Sequence, residues 1–357
     1  MSHNPKKANK EMEKAIFIAA DCWLEVFDLL PPAQLGLGIA MISHRFDYFV
    51  DEHFKTRKWT LGQMEIRSKI GQNGTKEMEI VNNFNGKELP IPHYPLPNKV
   101  IGFGSIRIFF IDQNVLIFLR RFDRFFASCA TELSIETENV RISKFLLLNI
   151  WPMFKDTIRL MDLNSIAFRQ MRQLAPSLLN DYASLRIVNL CDGISLEFPP
   201  DDSANASDGQ AVAKWLFTPR PDNLMNNDLI VSIHDSAMEQ QWLAIVEHIK
   251  AAFSAASSPG AFRISVYFTP SSSLASVVPF ELTNEFTGEN LKLSKEEEDE
   301  DLSGFSLIRC PIGPDEKRQQ QMIIEFSKRN RIDIFIGDDG VDDGLLDAAS
   351  AGPSDDH

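Results

Sequence analysis

The residues that could carry out catalysis occur in short runs that lack the spacing their chemistry requires. His234-Asp235-Ser236 contains the residue types of a hydrolase triad, but adjacent residues of an extended segment point in different directions and cannot form a relay. The run 102–105, GFGS, lacks the third glycine of a dinucleotide-binding loop. The acidic run 338–344, DDGVDDG, lacks the spacing and final Glu of a calcium loop. These absences predict a non-catalytic binding protein rather than an enzyme.

The cysteines and histidines show no pattern typical of metal ligation. The seven histidines are scattered, and the four cysteines stand far apart in the sequence, at Cys22, Cys129, Cys191 and Cys310. Without C-x-x-C or mixed Cys/His clusters, the sequence predicts neither a zinc site nor a disulfide framework. We therefore expect no cofactor and a reducing environment.

The formal net charge of −14 is concentrated in two segments. Residues 338–357 carry seven Asp without Lys or Arg, and the run 295–301, KEEEDED, has a net charge of −5. The remaining chain is nearly neutral, which argues against a nucleic-acid partner. No apolar run approaches the ~20 residues of a membrane span, and none forms the core of a signal peptide. We expect a cytoplasmic and/or nuclear protein with no membrane partner.

The elements that would position a binding site begin with two apolar helices near the N-terminus. Asp21 is a plausible N-cap for the first helix, which must end near Leu30 because Pro31 lacks a backbone donor. Pro32 suits the first turn of a second helix. The apolar residues of that helix predict a single face, formed by Leu35, Ile39, Ile42, Phe46, Phe49 and Val50. A third helix near residues 53–59 would close the unit.

A helical unit of this size buries too little of its own surface to be stable alone, so its excess apolar surface requires a partner. If another surface covered half a dozen of these side chains, each would contribute roughly 1.5–3 kcal/mol before the costs of association. The partner is either the rest of the same chain or another protein.

The N-terminal sequence resembles the F-box motif. The similarity lies in Ile18, in the run WLEVFDLLPPAQL at 23–35, in ISHRF at 42–46 and in the later Trp59. Two further segments, IVNNFNGKELPIPHYPLPNKVIGF and FPPDDSANASDGQAVAKWLFTPRPDNL, resemble F-box proteins of a large roundworm family.

The F-box resemblance implies a function in protein ubiquitination. F-box proteins are the substrate receptors of Skp-cullin-F-box ubiquitin ligases, so it implies docking on a Skp-type adaptor, and through it on a cullin-RING ligase. It also implies a protein substrate, whose identity the sequence does not give. Carried over to this sequence, the adaptor-binding residues would be Leu24, Phe27, Leu30, Pro31, Pro32, Leu35, Ile42 and Phe46.

The rest of the chain contains a recurring strand pattern in which an Arg is flanked by apolar residues. Strand-like runs begin at 106, 133, 158, 185, 229 and 262, of which the runs at 133 and 229 lack the Arg, and amphipathic helical segments lie between them. The first three intervals, 27, 25 and 27 residues, are typical of stacked β/α repeats. The pattern resembles a degenerate leucine-rich repeat, while a closed or doubly wound α/β sheet remains the alternative. The recurring Arg residues would either form a cationic ladder or pair with carboxylates.

The predicted fold class is α/β, with an N-terminal three-helix F-box followed by a β/α repeat domain that is leucine-rich-repeat-like. The expected boundaries are a disordered basic tail at 1–14, the F-box at 15–60, a hairpin and Pro-rich connector at 61–100, the repeats at 101–290, an acidic loop and strand-rich segment at 291–337 and a disordered acidic tail at 338–357. The expected function is substrate recognition for a ubiquitin ligase. The alternative is a repeat-type protein-interaction scaffold without a role in ubiquitination.

Overall fold

A computed structural model describes residues 18–55, 59–83, 85–89, 100–122, 125, 130–190, 196–219, 227–299, 302–311 and 330–351. Within these ranges the protein is mixed α/β, with an N-terminal cluster of helices and a large sheet accompanied by further helices. The predicted tail at 1–14 and most of the Pro-rich run at 89–97 lie outside the described residues.

The described helices are α1 (Ala20–Asp28), α2 (Pro32–Leu37), α3 (His44–Phe54), α4 (Gln113–Arg121), α5 (Val140–Asn149), α6 (Ser165–Leu174), α7 (Asp208–Phe217), α8 (Ser236–Ala255) and α9 (Asp343–Ala351). The described strands are β1 (Trp59–Thr60), β2 (Gln63–Ile70), β3 (Lys76–Asn82), β4 (Glu88–Leu89), β5 (Val100–Gly102), β6 (Ser105–Ile108), β7 (Thr131–Glu136), β8 (Ile158–Leu163), β9 (Ile187–Leu190), β10 (Asn227–Ile233), β11 (Phe262–Phe268), β12 (Phe280–Asn284), β13 (Glu289–Asp299), β14 (Leu302–Pro311) and β15 (Asn330–Phe335).

The N-terminal helices differ from the predicted ones in three respects. Helix α1 begins at Ala20, so Asp21 lies in its first turn and is not the N-cap. The predicted long second helix is broken after Leu37, because the chain passes through Gly38 and a short 3₁₀ turn, Ile39–Met41. Ser43 then caps a separate helix α3, and this helix takes the place of the third helix expected near 53–59.

The large sheet has thirteen strands, in the order β12-β13-β14-β11-β10-β9-β8-β7-β15-β6-β2-β3-β4. The eight strands from β11 to β2 run parallel to one another. All six strands predicted from the recurring pattern are present, and they follow one another in chain order apart from one insertion. Among the described residues the sheet is open, with β12 and β4 as its edge strands.

The strand that interrupts the chain order is β15, the last strand among the described residues. β15 pairs with β6 on one side and with β7 on the other, and α9 packs against α5. The C-terminal β15–α9 unit therefore adds a strand between β6 and β7 of the sheet. Within 338–357, the segment predicted to be disordered, Asp343–Ala351 form helix α9, and Leu346 of this helix is buried in the core.

Antiparallel strands complete the sheet at both ends. β2 and β3 form the predicted hairpin around Gly71–Gly74, and β13 and β14 form a long hairpin beside β11. The acidic run that begins at Lys295 was expected in a loop, but its residues up to Asp299 belong to β13. Cross-strand pairing in that hairpin places Lys295 beside Phe305 and Glu296 beside Gly304.

The two faces of the parallel sheet differ in polarity. Apolar side chains at alternate positions, such as Ile106, Leu133 and Ile264, join the buried sides of the helices in one core. The opposite positions are largely polar, and one row runs in register through Glu65, Arg107, Asp333, Ser134, Asp162 and Asn189. The sheet thus combines an apolar face, which holds the helices, with a polar face.

Candidate functional site

Aromatic contacts hold α1 and α3 of the N-terminal cluster together. The ring of Trp23 meets that of Phe46 edge-on at a centroid distance of 4.9 Å, and Phe27 meets His53 at 5.9 Å in the same geometry. Edge-to-face pairs of this kind contribute roughly 0.5–1.5 kcal/mol beyond the area they bury. Phe27 has no exposed surface, so it forms the centre of the cluster.

The turn between α1 and α2 follows directly from the two prolines. Pro31 adopts an extended conformation, with φ −61° and ψ 144°, and therefore ends the first helix. Pro32 occupies the first position of α2, where a missing N–H leaves no hydrogen bond unmade. These two residues set the angle between the first two helices, as the sequence predicts.

Helix α2 attaches the cluster to the sheet-containing body. Its residues Leu35 and Leu37 are buried, and Gly36 lies close to Leu61 and Val100 of the body. A Cβ atom at Gly36 would lie 3.0 Å from Cδ2 of Leu61, so this position requires a small residue. The cluster and the body therefore share one core through α2.

A second set of apolar side chains in the cluster faces solvent. Leu29 has 83% of its surface exposed and Ile42 has 62%. Val26 of α1 and Tyr48 of α3 are also exposed. We call Val26, Leu29, Ile42 and Tyr48 the exposed apolar set. Since isolated apolar residues are common on protein surfaces, the informative feature is that all four occur within one short cluster.

The eight predicted adaptor-binding residues fall into three groups. Phe27 and Leu35 are buried in the core, and Ile42 is exposed. The other five are half-buried, namely Leu24, Leu30, Pro31, Pro32 and Phe46. Val26 and Leu29 are not among the eight residues carried over from the F-box resemblance, although both reach solvent. Tyr48 was not part of the periodic pattern.

Charged residues lie beside the exposed apolar set. Glu25 and Asp28 of α1 are exposed, as are His44 and Arg45 at the start of α3. Arg45 donates a hydrogen bond to the carbonyl of Ile18 at 3.1 Å, which ties the approach to α1 onto α3. A mixture of apolar and charged exposed side chains is the composition of a protein-binding surface with a polar rim.

The recurring Arg residues of the sheet do not form a cationic ladder. Arg107 lies 3.7 Å from Glu65, and Arg263 lies 2.7 Å from Glu296. Arg159 instead donates to the carbonyl of Ser184, which precedes the neighbouring strand β9. Arg186 donates to the carbonyls of Ala183 and Leu185, directly before the same strand. Their charges are thus largely used within the protein, and pairing with carboxylates is confirmed for two of the four.

The polar face also holds buried carboxylates beside these arginines. Arg331 donates to Asp333 at 2.8 Å and lies 3.4 Å from Glu132. Asp228 is buried, and this burial raises its pKa to about 6 against the opposing effect of nearby Arg263. The face is therefore a network of paired charges with more acidic than basic groups around β7, β8 and β15.

The runs with catalytic residue types have structural roles. Asp235 caps α8 by accepting a hydrogen bond from the backbone N–H of Met238 at 2.8 Å. In the acidic run, Asp339 pairs with Lys76 and Asp338 accepts from Asn139. Among the described residues, no group of three or more His, Cys, Asp or Glu side chains could hold a metal ion.

Comparisons with family models, with curated proteins and with solved structures find no match for this chain. A search of the helices in the described ranges finds none with the length and apolar character needed to cross a membrane.

Proposed function

We propose that this protein is an F-box-type substrate receptor, in which the N-terminal helix cluster docks on a Skp-type adaptor and the repeat sheet recruits a target protein. The observation that carries the proposal is the exposed apolar set, above all Leu29 and Ile42. These side chains lie in the segment whose sequence resembles the F-box.

The geometry of the cluster is consistent with docking onto a preformed surface. Phe27 and Leu35 hold the helices together from inside, while Leu29 and Ile42 lie outside. Because α2 packs on the body, a partner bound to the cluster would be held at a defined position relative to the sheet. A receptor of this kind performs no bond chemistry; it raises the effective concentration of the target near the enzymes of the ligase.

The polar face of the sheet is the proposed site of target binding. It carries paired charges and polar residues in register, and stacked β/α units present extended surfaces of this kind to their partners. The excess of carboxylates around β7, β8 and β15 favours a target segment with basic residues.

The test of adaptor docking is a binding assay with the purified full-length protein and a Skp-type adaptor. The wild type is expected to co-elute with the adaptor as a one-to-one complex in size-exclusion chromatography. Leu29→Asp combined with Ile42→Asp should weaken the affinity at least about a hundredfold, since each apolar side chain contributes roughly 1.5–3 kcal/mol when covered. Phe27→Asp is unsuitable, because Phe27 is buried and its replacement would unfold the cluster.

The matched control is Val278→Asp combined with Phe286→Asp. Both residues are exposed apolar side chains near β12, far along the chain from the helix cluster. This variant should bind the adaptor like the wild type. Equal binding by both double variants, or no complex with the wild-type protein, would contradict the proposal.

The second candidate function is a protein-interaction scaffold in which the helix cluster serves only the body of the same chain. The packing of Gly36 on Leu61 and Val100 favours this alternative, because it shows that part of the cluster surface is covered in cis. Affinity purification from cells distinguishes the two, since only a substrate receptor would recover a cullin.

A further inference from the structure

An aromatic pocket of about 320 Å³ opens between the C-terminal half of α8 and the strands β11 and β14. Its walls are mostly apolar and include Phe198, Phe217, Phe253 and Phe262, and the imidazole of His248, which stacks on Phe198 at a centroid distance of 4.0 Å, also lines it. The volume lies within the range of small-molecule pockets, which are apolar clefts with a few polar groups. The pocket is separate from the helix cluster and from the polar row of the sheet.

The walls of the aromatic pocket are fixed by ring contacts. Phe217 meets Phe262 at a centroid distance of 5.0 Å and an angle of 89°, and Phe198 lies 5.8 Å from Phe217. Phe253 and Phe262 are buried in the core, whereas Phe198 and Phe217 are half-buried. Because two of the four rings belong to the core, the pocket is preformed and a ligand would not have to order it.

One cationic side chain, Arg309, lies among these apolar walls. Its guanidinium stacks over the ring of Phe253 at 5.3 Å. Its Nε and Nη2 atoms donate to Oε2 of Glu289 at 3.0 and 2.6 Å, and Nη2 also donates to the carbonyl of Ser258 at 2.8 Å. The remaining nitrogen, Nη1, makes no hydrogen bond to any described residue. Nη1 lies beside Gly260, where an added Cβ would be 3.4 Å away, and its two N–H groups have no acceptor among the described residues.

The charge of Arg309 is already balanced. Glu289 is buried, and its second oxygen, Oε1, accepts from the backbone N–H of Gly260 at 2.8 Å. A carboxylate ligand would therefore place a second anion beside a cation that has been neutralised, whereas an uncharged acceptor meets no such repulsion.

We propose that the aromatic pocket binds a small, uncharged aromatic ligand that carries a carbonyl oxygen. The ring system of the ligand packs between the Phe side chains, and its carbonyl oxygen accepts a hydrogen bond from Nη1 of Arg309. This inference does not depend on the proposed ubiquitin role, because it concerns a different part of the surface.

The test uses 2-acetylnaphthalene as the probe, with ligand-observed NMR titration of the full-length protein. Ala252→Phe places a large side chain at the exposed helical position that lines the pocket. The matched control is Ala251→Phe, at the next exposed position of the same helix, which does not line the pocket. Both changes leave Arg309 and its buried partner intact, so both variants should fold.

The expected result is saturable one-to-one binding that Ala252→Phe weakens at least tenfold and Ala251→Phe leaves unchanged. 2-Ethylnaphthalene, which lacks the acceptor, should bind about tenfold more weakly than the ketone because one buried hydrogen bond is lost. The proposal is overturned by absence of saturable binding, by equal weakening in the two variants, by equal affinity of the ketone and the hydrocarbon, or by tighter binding of 2-naphthoate.

Discussion

Two arginines of helix α6 share one carboxylate of helix α7, and substitutions of these arginines test how much this contact stabilises the protein. Arg172 of α6 donates to Oδ1 of Asp208 at 2.9 Å, and Arg169 donates to Oδ2 of the same residue at 3.0 Å. Asp208 is the first residue of α7. The two arginines differ in burial, since the side chain of Arg172 is 6% exposed and that of Arg169 is 66% exposed. The matched perturbations are Arg172→Met and Arg169→Met.

The expected magnitudes follow from what each substitution leaves behind. Removing Arg172 removes hydrogen bonds to the carbonyls of Pro176, Ser203 and Ala206. Ser203 keeps the N–H of Ala206 as a donor, and Asp208 keeps Arg169 as a partner. We expect Arg172→Met to lower the free energy of unfolding by about 3 kcal/mol, the lower end for a broken buried pair. Arg169→Met should cost at most about 0.5 kcal/mol, because exposed ion pairs contribute little.

The assay is equilibrium unfolding of the full-length variants in urea, monitored by far-ultraviolet circular dichroism. Both the midpoint and the dependence of the unfolding free energy on urea concentration are compared.

The double variant gives a further criterion. It leaves Asp208 without either arginine, so its loss should exceed the sum of the single losses by at least about 0.5 kcal/mol. Equal losses from the two single variants, or strict additivity in the double variant, would refute the assignment of the stabilisation to the buried arginine.

Two other predictions concern single sites. Burial raises the pKa of Asp228 to about 6 from an ordinary value of 3.8, so its contribution to stability is complete below pH 4 and is lost as the pH rises through 6. From pH 4 to 7 the unfolding free energy of the wild type should therefore fall by about 2 kcal/mol relative to that of Asp228→Asn, and an equal pH dependence of the two unfolding free energies would contradict this. A Cβ at Gly102 would lie 2.5 Å from Oδ1 of Asn330, so Gly102→Ala should lower the unfolding free energy by about 1–3 kcal/mol. Gly337→Ala, with open space around its Cβ, should change it by less than about 0.5 kcal/mol, and thermal or urea unfolding that ranks the two glycines in the opposite order would refute this argument.

The strands β6 to β11 could be predicted from the sequence, because the residue pattern that marks each of them spans only a few positions. An apolar residue, an Arg and a second apolar residue mark alternate faces of a strand, as in Ile106-Arg107-Ile108, and a strand overlaps each of the six predicted runs. The helix break at Pro31 was equally local. Each of these features depends on residues only a few positions apart.

The position of β15 could not be predicted in this way. The segment up to residue 337 was expected to be rich in strands, but its pairing with β6 and β7 joins residues about two hundred positions apart. The order of helix α9 is also nonlocal, since Arg141 pairs with Asp347 and Lys76 with Asp339. Charge counting suggested disorder because it did not include these distant cations.

The buried asparagines were missed for a related reason. Asn227 donates to the carbonyl of Trp215 at the end of α7, and Asn284 donates to the carbonyl of Phe253 near the end of α8. Each Asn side chain thus donates to a backbone carbonyl near the C-terminal end of a helix, from a strand that follows this helix in the chain. An isolated Asn carries no sequence pattern that reveals such a role.

The insertion of the last strand has a consequence for the way the chain acquires its fold during translation. In the described structure, β6 and β7 meet only through β15, so the two halves of the sheet have no direct backbone pairing until the ribosome has synthesised residue 335. A nascent chain would expose both strand edges to solvent during that interval. A circular permutant that begins with β15–α9 would supply this strand first and should depend less on chaperones.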